Sequence, residues 1–452
     1  MISYSLVCKK KDCEKQISQS QDSSSENSYR REEFFLGQNE IQLTAGGTHL
    51  KNQLVGLRRS RHLCRSGHFQ IHFIYTGVAE SLFILYPDGT SLLIDCGDHA
   101  AHERGKYAVP ILPDLSRHAG EWIARYVKRV NPAREKVDYL LLTHYHQDHG
   151  GGRDYHAGLA PNGKYYLSGI GQAMEYLSFA KAIDRAWPTF DDPLPVVKRL
   201  DGHMVEQIEE VYKELERRGT KVERFKLEKG SDQLDPVRGK IDGFGIRPLS
   251  ANGRVLMPDG TVRDLYRRNI ELWHPWGINE NALSIGLKFS YGAFSLYTAG
   301  DFEDVMTRPD GKKWEIEEAM AETVGPATVA KINHHGNSAM CEKLVAALKS
   351  QVYVGCIWDW FHVDDATMTR LADRSLYEGD RLLCPGILTK ERRARDKDRP
   401  WMKDVPSGTY EGAHVVIDVP PGGETFTLSL VSAADETMRV VSEINLKTRK
   451  VS

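Results

Sequence analysis

Long apolar runs are missing from this chain. None approaches the ~18–20 residues that span a bilayer, so no membrane-crossing helix is expected. The opening residues, MISYSLVCKKKDCEKQ, hold no apolar core of signal-peptide length, so no secretory leader is expected either. Cysteine is scarce: Cys8, Cys13, Cys64, Cys96, Cys341, Cys356 and Cys384 are an odd number, widely scattered. That excludes a disulfide framework and fits a reducing, cytoplasmic setting. Cys8 and Cys13 lack a second Cys/His pair at zinc-finger spacing. A dominant charge is also absent. The net charge of -2 provides no global field for nucleic acid or anionic membrane. No internal repeat is visible, and no Gly-x-Ser-x-Gly elbow marks a serine nucleophile.

The rest of the composition is that of a globular protein, with 40% hydrophobic and 27% charged residues. Residues 1–66 differ. QISQSQDSSSENSYRREEF is polar and Ser-rich, too poor in large apolar residues to offset its ordering entropy. The basic run LRRSRHLCR (57–65) reads as a solvated tail rather than a nucleic-acid contact. The expected domain therefore runs from 67 to 452, with insertions around 153–200 and 228–265 that form a rim and lid.

From Phe69 the pattern becomes regular. FQIHFIY alternates as a strand. SLFILY and SLLIDCGD flank a Pro-Asp-Gly turn and form a hairpin. AGEWIARYVKRV (119–130) has helical spacing, and VDYLLLTH (137–144) is a buried strand. SGIGQAMEYLSFAKAIDRAW (168–187) and HMVEQIEEVYKELERRG (203–219) read as helices. TKVERFKL (220–227) is a strand, with weaker strands near GFGIRPLS and IELWHP. NALSIGLKFSYGAFSLYTAGD (281–301) is a second hairpin. ATVAKINHHGNS runs as a strand into two histidines, and QVYVGCIWDW is another strand. Residues 385–405 read as a surface loop, and a last hairpin follows. This order predicts an α/β protein whose sheets carry helices on their outer faces.

Chemistry concentrates in LLLTHYHQDHGGG (140–152). In an extended segment His144 and His146 point the same way and can share one ion. Asp148 and His149 follow at a turn and can face a second ion, ~3.5–4 Å from the first. Imidazole and carboxylate suit two divalent ions, Zn²⁺ foremost, with Mn²⁺ or Fe also admitted. The glycines Gly150 to Gly152 let the backbone turn sharply beside them.

THYHQDHGGG resembles the His-x-His-x-Asp-His signature of the metallo-β-lactamase superfamily. LLIDCGD resembles the aspartate-bearing strand that precedes it, and SLYTAGD the strand ending in the metal-bridging aspartate. KINHHGNS and NENALSIGLKF are similar to segments of the soluble, ComEC-like branch. The resemblance spans about 71–365 and implies a four-layer αββα sandwich of the metallo-β-lactamase type. It implies metal ligation by His144, His146, Asp148, His149, Asp301 and one of His334 and His335, with His335 favoured. Asp95 is expected beside the ligands, accepting an imidazole N–H and fixing its tautomer. Asp148, Asp95 and His334 are the expected catalytic groups. The Gly-x-His strand that many members place before the bridging aspartate is absent here. His274 and His362 are therefore candidates for the first metal's remaining ligand. Asn281 is a further candidate contact with substrate.

The implied activity is hydrolysis through a metal-bridged hydroxide, on a phosphodiester or another ester. The substrate is expected to be a small molecule or a nucleic acid. No obligatory protein partner is evident. KERRARDKDR (390–399) interleaves acids with its bases and reads as solvated rather than as a guide for a nucleic-acid backbone. Two other classes compete on the same fold. A redox enzyme is disfavoured by His146, where di-iron relatives carry glutamate, and by the lack of a flavin pattern. A non-catalytic binding or sensor module would be expected to have lost ligands.

Overall fold

A computed structural model describes residues 65–99, 109–154, 156–193, 202–265, 280–303 and 315–449. Most of the polar N-terminal stretch, the basic run before Arg65, His274 and the strand expected around it lie outside the described residues. The chain first builds β1 (Phe69–Phe73), β2 (Leu82–Leu85), β3 (Ser91–Ile94), β4 (Lys136–Leu141), β5 (Ser178–Asp184) and β6 (Lys221–Arg224). It then builds β7 (Phe244–Ala251), β8 (Arg254–Leu256), β9 (Val262–Asp264), β10 (Gly286–Tyr291) and β11 (Phe294–Ala299). β12 (Val329–Lys331), β13 (Val352–Val354) and β14 (Leu382–Cys384) follow. β15 (Ala413–Val419), β16 (Thr425–Ser432) and β17 (Val440–Lys447) close the chain.

These strands form two sheets. One has nine strands in the order β17-β16-β15-β1-β2-β3-β4-β5-β6, and the other eight in the order β14-β13-β12-β11-β10-β7-β8-β9. β3 to β6 run parallel, as do β11 to β14; the other pairings are antiparallel.

Period-two alternation assigns the faces. Leu82, Ile84, Leu92, Ile94, Tyr139 and Leu141 pack against Leu287, Phe289, Leu296, Val329 and Val352 between the sheets. Phe83, Leu85, Leu93 and Leu140 point the other way, to the helices Ala119–Val130 and Gly202–Arg217. On the second sheet Tyr297, Ala299, Ala330 and Tyr353 point outward to the helices Ile316–Val324, Glu342–Leu348 and Asp365–Ala372. Helix, sheet, sheet and helix layers result: the αββα sandwich expected from the sequence. No helix among the described residues is long and apolar enough to cross a membrane.

Two segments differ from the sequence reading. The helix expected over 168–187 is a short helix, Ile170–Ala173, followed by β5. β5 lies between β4 and β6, burying Phe179 and Ala182 under the helices and Ile183 between the sheets. Pairing on both sides overrides the local helical spacing. Residues 385–405 are no plain surface loop. They contain the helix Lys390–Asp396, with Thr389 Oγ1 accepting from the Arg392 amide at its N-terminus, and a fully buried Trp401.

Candidate metal centre

The parallel strands deliver their carboxyl ends to one place, where open α/β sheets put their ligands. Asp95 follows β3, residues 143–149 follow β4, Asp301 follows β11, and His335 follows β12. The segment after β4 bends at His144 and Tyr145, is extended again at His146, and then enters a short helix, Gln147–Gly150. The alternation nevertheless holds for the side chains. Tyr145 is buried on the far side, donating to Asp184 Oδ2 at 2.8 Å, while His144 Nε2 lies 3.1 Å from His146 Nδ1. Gly97 permits the close approach of the β3 turn, because a Cβ there would stand 1.7 Å from the Asp148 carbonyl oxygen.

Tautomers follow from the hydrogen bonds. Asp95 accepts from the Thr143 amide and hydroxyl, each at 2.8 Å, and lies 2.8 Å from His149 Nδ1. A carboxylate accepts only, so Nδ1 of His149 carries the proton. His335 Nδ1 lies 2.6 Å from the Cys356 carbonyl oxygen and must donate as well. In the neutral rings both Nε2 atoms would be lone pairs, and each is 3.0 Å from Asp301 Oδ2. His335 Nε2 also lies 2.8 Å from Asp148 Oδ2. At this distance a proton on each Nε2 or a shared cation must stand between ring and carboxylate, and both rings aim at the same oxygen.

The electrostatics agree. Glu80, Asp95, Asp148 and Asp301 are buried carboxylates, and the buried ammonium of Lys331 faces two of them, Glu80 and Asp301. Burial opposes charge on His335, but Asp301 and Asp148 outweigh it and push the ring up to about 10. His149 is raised well above its ordinary value, against burial, by Asp301 and Asp95. Burial and the neighbouring His149 and His146 lower His144, keeping it neutral as a metal ligand must be. Asp148 is held well below the carboxylate range, against burial, by His149 and His335. Burial raises Glu80 to about 7 despite Lys331. Donor atoms of Glu80, His149, Asp301 and His335 all lie within 4.8 Å of one another. Asp301 Oδ1 and His335 Nε2 are buried with no hydrogen bond. The donor set therefore fits a divalent cation.

The structure thus gathers His144, His146, Asp148, His149, Asp95, Asp301 and His335. It separates the His334–His335 pair: both have positive φ, and only His335 enters the cluster. His334 stays at the edge, its Nδ1 2.7 Å from the Asn337 carbonyl oxygen and its Nε2 3.4 Å from Asn281 Nδ2. Asn281 Nδ2 donates to Glu303 Oε1 at 2.5 Å. His362 is buried and stacks on His335, centroids 5.2 Å apart, outside the four-donor group. Gly336 (φ +77°) allows this close packing, since a Cβ would meet Val363 at 2.1 Å.

Four contributors escaped the sequence reading. Glu80 and Lys331 are charges inside apolar segments, a signal the sequence does carry. Trp358 donates from Nε1 to Asp148 Oδ2 at 2.6 Å. Glu280 accepts from the Tyr145 amide at 2.9 Å and pairs twofold with buried Arg185, at 2.7 and 2.6 Å.

A family model described as the metallo-beta-lactamase superfamily matches residues 75–219, which include Asp95 and the 144–149 cluster. No curated protein matches the chain.

Proposed function

Because residues 75–219 place the chain in the metallo-beta-lactamase superfamily, we propose that it is a metal-dependent hydrolase. The observation that carries this reading is the convergence of two buried ring atoms, Nε2 of His149 and of His335, on one Asp301 oxygen. His144 and His146 would hold one divalent ion, and Asp148, His149 and His335 another, with Asp301 between them. Bound there, such ions lower the pKa of water and polarise the oxygen of the scissile bond.

The chain's own groups do the rest. Asp95 fixes the proton of His149 on Nδ1, and the Cys356 carbonyl does the same for His335. Trp358 Nε1 holds Asp148 Oδ2 and sets its direction. Burial of His144, Asp301 and His335 excludes competing water. His334 is part-exposed and donates from Nδ1 to the Asn337 carbonyl oxygen, which leaves its Nε2 as a lone pair at the cluster's edge, facing the Asn281 amide. Asn281 and Glu303 orient that ring.

The finer reading is a ComEC-like phosphodiesterase that uses two zinc ions. His334 and Asn281, both from segments similar to that branch, meet at the cluster's edge and support it. The test is metal analysis of purified protein, with hydrolysis of a bis-aryl phosphodiester, a phosphomonoester, a lactam, and single- and double-stranded DNA, each with and without chelator. Chelator-sensitive cleavage of the diester is expected, abolished in His146→Ala and Asp148→Ala while both variants stay folded. Stoichiometric zinc with no hydrolysis of any substrate would overturn the hydrolase reading.

A further inference from the structure

Lysine is almost never fully buried, and Lys331 on β12 has no exposure at all. Its Nζ donates to the carbonyl oxygens of Ala299 and Gly300 at 2.8 and 3.0 Å, the two residues before Asp301. It stands 2.9 Å from Glu80 Oε1 and 3.8 Å from Asp301 Oδ1. Glu80 comes from the other sheet, in the β1–β2 connection. Its amide donates to the Asp148 carbonyl oxygen at 2.8 Å, and its Oε2 lies 3.7 Å from His335 Nδ1.

Glu80 is thus placed like a metal ligand, with a donor atom within 4.8 Å of those of His149, Asp301 and His335. An ammonium already faces it. A carboxylate that turned to bind a cation would leave Lys331 buried beside that cation without its partner, an arrangement that like charges oppose. Lys331 also cannot leave: its two carbonyl bonds tie it to the strand end that carries Asp301.

Resting on the metal-dependent reading above, we propose that Lys331 is a built-in counter-cation. It engages Glu80 and keeps this carboxylate out of the metal's coordination shell, while it holds the strand end that aims Asp301. Glu80 and Lys331 are positioning residues. Removing the ammonium frees Glu80 to bind metal, which tightens binding and changes the shell. Removing the carboxylate leaves the ammonium unbalanced, which loosens binding and leaves the shell as it was. Removing both restores the balance.

The experiment compares full-length wild type, Lys331→Met, Glu80→Gln and the double variant, with folding checked by circular dichroism. Visible absorption of the Co²⁺-loaded proteins reports the shell, and competition with a chromophoric chelator gives the Zn²⁺ affinity. For Glu80→Gln the expected result is an unchanged cobalt spectrum with zinc bound about tenfold more weakly, in the range for groups that act through ligands. Lys331→Met should bind zinc at least about tenfold more tightly, with an altered spectrum. The double variant should return to the wild-type spectrum and to within about threefold of its affinity. A shifted spectrum or undiminished affinity in Glu80→Gln overturns the proposal, as does Lys331→Met with a wild-type spectrum and no gain. If Lys331→Met fails to fold, Glu80→Gln decides alone. A wild type that binds neither cobalt nor zinc refutes the metal-dependent reading itself, a separate failure.

Discussion

Asp95 has both carboxylate oxygens committed, one to the Thr143 amide and the other to the Thr143 hydroxyl and His149 Nδ1. Asp95→Asn keeps the shape but must turn an NH₂ toward one of these groups. Facing His149 Nδ1, that donor drives the imidazole proton to Nε2, the atom aimed at Asp301. Zinc affinity is expected to fall ~10–100-fold, as for other partners of metal-bound histidines. Competition with a chromophoric chelator measures it, and an unchanged affinity would contradict the tautomer argument. A second histidine, far from the cluster's chemistry, sets an acid limit. His414 Nδ1 accepts from the Tyr75 amide at 3.1 Å, so it must be neutral. Burial, helped by Arg129, pushes it down to about 3. The unfolded chain binds this proton below ~6.5 and the folded protein does not, so stability falls as pH drops from there toward 3, by ~1.4 kcal/mol per unit. Urea unfolding at pH 7 and pH 5 should show wild type losing ~2 kcal/mol more than His414→Asn. Equal losses would rule His414 out.

At the scale of elements, the signature segment is held from beneath by an ion pair that belongs to no motif. Arg185, directly after β5, is fully buried and grips Glu280, which accepts from the Tyr145 amide between His144 and His146. Breaking a buried pair by removing one charge strands the other, at ~3–5 kcal/mol. Glu280→Gln should therefore lower stability to urea by ~3 kcal/mol or more. Replacing both partners with methionine should cost less than that, and a larger loss in the double variant would defeat the explanation. This support was invisible in the sequence for a definite reason. Arg185 and Glu280 are 95 residues apart, and the segment holding Arg185 reads as a helix until β4 and β6 pair with β5 on either side. The hairpins around Gly89 and Gly292 and the helix 119–130 were legible because turn chemistry and apolar spacing are local. The cluster 144–149 was legible for the same reason, and so was Asp301, at the end of its strand. The preference for His335 over His334 came from the resemblance alone, because local spacing leaves the pair open and backbone torsion, with positive φ at both residues, sets the two rings apart. Glu80 and Lys331 stand in the sequence as charges inside apolar segments and were not read as site residues, because what they neutralise appears only when two distant segments meet.

On the scale of the whole molecule the cluster joins two halves. Residues 144–149, Glu80 and Asp95 hang from the nine-stranded sheet, while Asp301, His335 and Lys331 belong to the eight-stranded one. Away from this end the sheets adhere through aromatic and aliphatic side chains, with Phe69 against Phe289 and Phe294 at centroid distances of 6.1 Å. At the cluster they present carboxylates to each other, with Asp148 and Asp301 both against His335. Bound divalent ions would convert this repulsive edge into a cross-link, so chelation should weaken the fold where the sheets meet at their carboxyl ends. The size follows from linkage: metal held at 100 times its dissociation constant contributes ~2.7 kcal/mol to folding. Removing it should lower the melting temperature. Amide-exchange protection should fall after β4, β11 and β12, and persist in the middle of both sheets. Protons partly replace the ions. His335, pushed up to about 10, and Glu80, raised to about 7, take them up at neutral pH when the cations leave. Metal binding must then release protons and weaken as pH falls, by up to ~tenfold per unit for each proton displaced. The stabilisation that zinc provides should accordingly shrink from pH 8 to pH 6. Thermal unfolding with and without chelator across that range measures it, and a melting temperature indifferent to chelator at pH 8 would mean that no cation bridges the sheets.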